Sequence, residues 1–458
     1  MIHRLRNIKP EKVFLIIALI YGLSFLMINP PFQAIDEQTH YFRASDISEG
    51  HMMPQRVNGE SLVTITEGMA SLTSKFPQDL SDYPNKKLRI SDIVSGLSLP
   101  LNNNFKSSAN IEIFAIVAYP PVPYLASALG MDLGKLFNLS PLFLLYIGRL
   151  MNLILWLLLI YLAIKVTPVH KWVLLLLSLM PMTIFQGASL SADSFTIAIS
   201  FLVIAIFLKF ALDASKKVVT KKDIFILFTL VLMLTLSKPF YFLLIFLFFL
   251  IPSHKFGNRK KMFLIFSLIF LSIAVIEALW YLTTHGLYVP ENSNTSIRGQ
   301  MSFILSNPAV FPHVMEHTLW KYSYLYLTES VGHLGWSIFL PQWLVYVYVV
   351  VLISVSLLDK NEIVISLKQK LVSLITLFAI VLMIFALEYI AWTPIGQSMV
   401  GGVQGRYFVP IAPLIFLLFY NKKIDYDVKN GLNVFIIIFI LIILSFTLFK
   451  IITKFYVL

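Results

Sequence analysis

Apolar side chains fill this chain in long runs, and polar positions fall between the runs in short clusters. A helix needs about 20 apolar residues to cross a hydrocarbon core roughly 30 Å thick. Candidate spans lie near 12–28, 140–164, 172–188, 193–211, 223–237, 239–252, 262–283, 338–358, 371–391, 407–420 and 432–449. The pattern predicts an all-α polytopic membrane protein of about eleven transmembrane helices. Ser237-Lys238-Pro239 separates two of these runs. A tight turn is expected there, because one helix over both runs would be too long. The chain divides into a tail and first helix (1–28), a large loop (29–139), helices two to seven (140–284), a second loop (285–337) and helices eight to eleven (338–458). Residues 29–139 hold too many Ile, Leu and Phe for a disordered tether, and short interfacial helices suit them better.

The connections set the expected orientation. With the N-terminus inside, the inside segments are Arg4 to Lys12, Lys165 to Lys171, Lys209 to Lys222, Lys255 to Lys261, Lys360 to Lys370 and Lys422 to Lys429. These hold more than half of the chain's 36 basic side chains, whereas the short connection near 187–193 holds none. Short loops rich in Lys and Arg stay cytoplasmic, so the prediction is N-terminus in and C-terminus out. The stretch Ile111 to Gly130 is apolar enough to imitate a span, but a crossing there would move every later lysine cluster outside. Pro120, Pro121 and Pro123 also interrupt helical hydrogen bonding, so this stretch is expected in the interface or dipping beside the protein.

Composition narrows the class further. The chain is 58% hydrophobic and 13% charged, against about a quarter charged in soluble domains. Its net charge of +12 could suggest nucleic acid, yet no groove-reading motif accompanies the scattered basic clusters. Membrane lipids and the inside-positive bias account for the excess. Zero cysteines exclude disulfides and thiolate metal sites. The apolar run after Arg4, Arg6, Lys9 and Lys12 could be a signal peptide, but it lacks a small-x-small cleavage site and reads better as an uncleaved first helix. Richness in Lys, Ile, Phe and Asn fits an AT-rich bacterial genome, and so a bacterial cytoplasmic (inner) membrane. No P-loop, HExxH or GxSxG sequence marks an ATPase, zinc protease or hydrolase elbow.

The chemistry-bearing residues collect on the expected extracytoplasmic side. Asp36, His40 and Arg43 fall at i, i+4 and i+7 after the first helix, on one helical face. They could be a general base with a proton-handling His and a phosphate-binding Arg, or equally a solvated face held by local ion pairs. Asp193 opens the fourth span, where a carboxylate also serves as a plain helix cap. Arg149, with Asn152, lies inside the second span, and should face the bundle interior or a wet cavity, within reach of an anionic headgroup. Lys238 is the basic residue of an outer turn. His333 and Trp336 in Gly332-His333-Leu334-Gly335-Trp336, and Gln404, Arg406 and Tyr407 in Gly402 to Phe408, combine glycine with aromatic and polar groups. The glycines would let backbone approach a ligand. Trp336, Tyr407 and Phe408 also suit an interfacial belt. Arg406 breaks the inside-positive pattern.

PPFQAIDEQTHYFRA (30–44), Arg149 with Asn152, SADS, SKPFY, HLGW and QGRYFVP together resemble the DUF2142 predicted membrane proteins along nearly the whole chain. More remotely, a first helix followed by a long acidic loop and many spans resembles GT-C glycosyltransferases. The YPPVPY segment is similar to a Pro-Pro-aromatic segment of their polyprenyl-sugar-dependent members. That resemblance implies a GT-C-like fold, a polyprenyl-phosphate (undecaprenyl-phosphate) sugar donor, and a cell-surface polymer acceptor such as a teichoic acid or polysaccharide. Asp36 or Glu37 matches the catalytic acid, and which of them is the base stays open. Arg43, Lys238, Arg406 and Arg149 would bind the donor phosphate, with His40, Asp193, His333, Trp336, Gln404 and Tyr407 in support. Such enzymes differ in metal use, which leaves a divalent cation (Mg²⁺ or Mn²⁺) open. Two other readings share the features: a transporter or flippase of a lipid-linked saccharide, and a polysaccharide polymerase or ligase. A transporter should carry charges near the midplane and an internal repeat, whereas here the charges gather at one face.

Overall fold

The computed structural model describes residues 9–53, 55–57, 60–63, 65–78, 80, 86–101, 119–285, 294–359, 362–421 and 429–457. Helix α1 (Pro10–Ile28) starts on a proline, whose fixed φ suits the first helical turn. It stops at Asn29, because Pro30 and Pro31 cannot continue the ladder. Four short helices follow: α2 (Glu37–Ser48), α3 (Glu67–Lys75), α4 (Ile90–Leu97) and α5 (Leu125–Leu136). A small hairpin, β1 (Gln55–Val57) with β2 (Glu60–Leu62), lies between the first two.

The bundle proper begins with α6 (Pro141–Val166), capped by Ser140, whose hydroxyl accepts from Phe143 N. Next come α7 (Lys171–Ser178), α8 (Pro181–Gly187), α9 (Ala192–Leu212) and α10 (Lys221–Thr235). A 3₁₀ stretch, Pro239–Leu250, leads to α11 (Arg259–Thr284). Helices α12 (Ile297–Ser306) and α13 (Val310–Gly332) fill the second large loop, closed by the hairpin β3 (His333–Leu334) and β4 (Ile338–Phe339). Helices α14 (Gln342–Leu358) and α15 (Leu367–Ala391), a 3₁₀ turn Gly405–Ile411, α16 (Ala412–Phe419) and α17 (Lys429–Phe455) complete the fold.

Helix α9 is the axis, with nearly every side chain buried, and it packs on α6 and the Pro239–Leu250 stretch. Helix α11 stands at the edge and exposes Leu264, Leu268, Leu271, Val275, Leu279 and Leu282. An apolar helix with so much uncovered surface suits a hydrocarbon surround.

Among the described residues, six helices are long and apolar enough to cross a membrane: α1, α6, α9, α11, α15 and α17. The other five expected runs are helical but shorter or interrupted. The run 172–188 breaks between α7 and α8, where Pro181 removes a donor. The run 239–252 is 3₁₀ for 12 residues, well past the usual three or four. At about 2.0 Å rise per residue that stretch reaches further than an α-helix of equal length. The run 407–420 changes from 3₁₀ to α at Pro410 and Ala412.

Of the Ile111 to Gly130 stretch, residues 111–118 lie outside the described residues. From Tyr119 onward the prolines give a 3₁₀ turn and then α5, whose 12 residues extend about 18 Å. That is too short for a crossing. Leu125, Leu129, Leu133 and Leu136 form its exposed row, while Ser127, Ala128 and Met131 are buried.

The two ends of the bundle differ in chemistry. Lys255 Nζ donates to Phe210 O and Asp213 O, and Lys370 Nζ to Leu418 O and Tyr420 O. His170 contacts Ser356 O, and its ring packs on Tyr420. These bonds gather the lysine-rich connections at one end. The residues after α1 meet the start of α9, the turn at Lys238 and the segment before α16 at the other.

Candidate functional site

The turn after α1 is strained and tightly held. Phe32 has φ 64° and Asp36 φ 59°, both in the left-handed region that bulky residues avoid. Such positions cost on the order of 1–3 kcal/mol each and persist only when the surroundings fix them. Here Glu37 does the fixing. Its Oε2 accepts from Phe32 N at 3.0 Å, and its Oε1 from Leu190 N at 2.9 Å. Both oxygens also pair with Arg149, at 2.7 Å from Nε and 2.6 Å from Nη2. The remaining guanidinium hydrogens go to Leu26 O, Asn29 O and Pro30 O. Both side chains are completely buried.

This corrects two expectations. Arg149 has five N–H donors and five acceptors, so none is left for a phosphate. Glu37 is saturated in the same way and is a structural anchor, not a free base. Asn152, one turn from Arg149, donates to Ser189 O and Ser191 O and fixes the approach to α9.

Asp36 faces another way. Its Oδ2 lies 3.0 Å from Arg406 Nη2, and the side chain is 36% exposed. Arg406 Nε lies 3.0 Å from Asp193 Oδ2, and Asp193 Oδ1 lies 2.5 Å from Lys238 Nζ. Four expected residues, distant in sequence, thus form one alternating row of charges. Lys238 Nζ also sits 4.2 Å from the centre of the Tyr407 ring. Asp193 is not the cap of α9: Ser191 caps it, accepting from Asp193 N at 3.2 Å, and the carboxylate is free for the two cations.

Residues 19–415 match the family described as "Predicted membrane protein (DUF2142)". The chain belongs to the DUF2142 family. No curated protein and no solved structure matches it.

The other expected site residues of this DUF2142 chain divide into two groups. Arg43 is not in the charged row. It is buried against Asp46 (2.9 Å) and donates to His51 O and Met52 O, so it braces α2. The i, i+4, i+7 alignment fails because Asp36 precedes the helix, and its left-handed backbone turns it away from Arg43. His40 is buried, with Nδ1 2.8 Å from the Tyr124 hydroxyl. Burial holds its pKa down at about 4, although the Asp36 and Asp193 carboxylates pull the other way. The imidazole is therefore neutral at pH 7 and a weak base.

His333, Trp336 and Gln404 line a cavity of about 110 Å³ together with Glu329, Gly335 and Arg406. Arg406 Nη1, His333 Nε2 and Gln404 Oε1 are buried there without hydrogen-bond partners among the described residues. Trp336 is 47% exposed at its edge. Gly335 and Gly405 sit in close contact with neighbouring backbone. A Cβ on Gly335, at φ 61°, would lie 2.1 Å from Gln33 O, and one on Gly405 2.2 Å from Tyr326 O.

Sequence reasoning missed two acids and two tyrosines. Glu388 lies in α15 within electrostatic reach of Lys238 and Arg406. A lone carboxylate in an apolar span was the available signal. Glu329 accepts from Gly405 N at 2.5 Å. Tyr119 and Tyr124, from YPPVPY, reach Lys238 and His40. No group of three His, Asp or Glu side chains among the described residues is placed to hold a metal ion.

Proposed function

We propose that this protein is a membrane glycosyltransferase of GT-C-like build, with about eleven spans counting the short ones. It would move a sugar from a polyprenyl-phosphate donor to a cell-surface glycopolymer on the extracytoplasmic face. The observation that carries the reading is Asp36. It is a partly exposed carboxylate on a strained, braced turn, and it pairs with an arginine that keeps one buried N–H group open.

The chemistry follows from those groups. Asp36 takes the proton of an acceptor hydroxyl, and that oxygen attacks the anomeric carbon. The bond from that carbon to the phosphate oxygen breaks, and polyprenyl phosphate leaves with the electron pair. Arg406, through Nη1, and Lys238 stabilise the charge gathering on the phosphate. His40 stays neutral and holds Tyr124 in place. The placement of the charged row at one end of the bundle, with lysine-rich turns at the other, favours surface chemistry over midplane transport.

The test is transfer of radiolabelled sugar from synthetic undecaprenyl-phosphate donors by purified protein, with and without Mg²⁺ or Mn²⁺. Wild type should transfer, and Asp36→Asn should lose about 10³-fold in rate while expressing and melting as wild type does. Full activity in Asp36→Asn would move the base elsewhere. No transfer from any donor would direct attention to lipid flipping.

A further inference from the structure

A larger cavity, about 380 Å³, is lined in part by Met399 to Val403, the segment that leads to Arg406, and falls within the size range of small-molecule sites. Helix α13 gives it Tyr322 and Tyr326, and the segment after α15 gives it Thr393, Gln397 and Gly402. The opposite wall is already assembled. Gly401 N donates to Thr393 Oγ1 at 2.9 Å, Val400 N to Thr318 Oγ1 at 2.9 Å, and the Tyr389 hydroxyl to Gln397 O at 3.0 Å. A preformed wall avoids the ordering cost that weakens binding by loose loops.

The lining defines the ligand chemistry. It contains no charged side chain, so neither a phosphate nor an ammonium group is favoured. The tyrosine rings stand 6.3 Å apart. Aromatic faces receive an apolar C–H surface, while the tyrosine hydroxyls and the Gln397 amide receive polar edges. A pyranose ring has both kinds of surface.

Position links the cavity to the reaction. Residues 399–403 line it, and Gln404 and Arg406, next along the same segment, line the smaller cavity. On α13, Tyr326 faces one cavity and Glu329 the other, about 4.5 Å apart along the axis. A Cβ on Gly402 would come within 2.5 Å of Glu388 Oε2, which puts the cavity wall against an acid within electrostatic reach of Lys238 and Arg406.

We propose that this cavity is the acceptor subsite and holds a neutral sugar unit of the polymer while its hydroxyl reaches Asp36. The assignment rests on the glycosyltransferase reading, and binding separates the two. Saturation-transfer difference NMR on the full chain in detergent would use a panel of neutral hexose and N-acetylhexosamine oligosaccharides as probes. Wild type and Asp36→Asn should bind at least one of them. Tyr322→Ala should weaken that binding roughly fivefold or more, and Tyr322→Phe should retain it. Gln397→Ala, on the exposed wall, should also weaken binding, and it serves if Tyr322→Ala fails to fold. The proposal is overturned if no saccharide binds, or if both alanine variants fold and bind as wild type. Binding without transfer from any donor keeps the cavity and removes the reaction. Transfer with an unchanged acceptor KM in Tyr322→Ala keeps the reaction and removes the cavity.

Discussion

Neighbouring carboxylates in this chain take opposite roles because of one backbone angle. Asp36, at φ 59°, points to Arg406, and Glu37, already helical, points into the bundle at Arg149. Removing one partner of a buried pair leaves an uncompensated charge and costs about 3–5 kcal/mol. Glu37→Gln and Arg149→Met should each lower the melting temperature and the detergent-soluble yield, measured by fluorescence-detected size exclusion. The double variant should recover part of the loss. Variants that melt as wild type but lose transfer would instead give this pair a direct part in catalysis. The residue types were legible in the sequence, and the division of labour was not. Spacing put Asp36, His40 and Arg43 on one helical face, but a left-handed residue ahead of the helix has no signature in a single sequence. Glu37 and Arg149 lie 112 positions apart, and nothing local announces their pairing.

At the scale of elements, each of the eleven apolar runs became helical, whereas the 23-residue helix α13, inside the second expected loop, was not foreseen, and lengths and interruptions came from prolines and packing. Pro181 and Pro410 mark breaks that could be read in advance. The 3₁₀ form of Pro239–Leu250 could not be, since nothing in its uniformly apolar sequence separates it from an α-helix. The 3₁₀ turn that carries Arg406 depends on Gly405, which presses on the backbone of α13. Gly405→Ala forces that turn away, and overpacking of this kind costs about 1–3 kcal/mol. The expected result is a lower melting temperature and a raised KM for the donor, from a displaced Arg406. An unchanged donor KM would show that the position of Arg406 does not govern phosphate binding.

For the whole molecule, the charge map makes a prediction about sidedness that the native chain is well suited to test, because it has no cysteine. Lys217 and Ser398 are exposed at opposite ends of the bundle. In intact cells a membrane-impermeant maleimide should label Ser398→Cys, and should label Lys217→Cys only after lysis. The reverse pattern would invert the orientation and place the charged row in the cytoplasm. Basic loops could be counted along the sequence, so the gathering of lysine-rich connections at one end of the bundle was legible. The joining of Asp36 to Arg406 across 370 positions was not, because it requires the order in which helices pack.

The Glu37–Arg149 pair also sets a timetable for synthesis. Ribosomes add about 5–20 residues per second, so Glu37 leaves the ribosome on the order of ten seconds before its arginine. During that interval the carboxylate has no counter-ion, and the strained turn at Phe32 lacks the fully braced acceptor that closes it. Insertion of α6 delivers the guanidinium, and the arrival of Leu190 adds the last backbone donor. The brace around this turn is therefore complete only once Leu190 has been made, 153 positions after the carboxylate it holds.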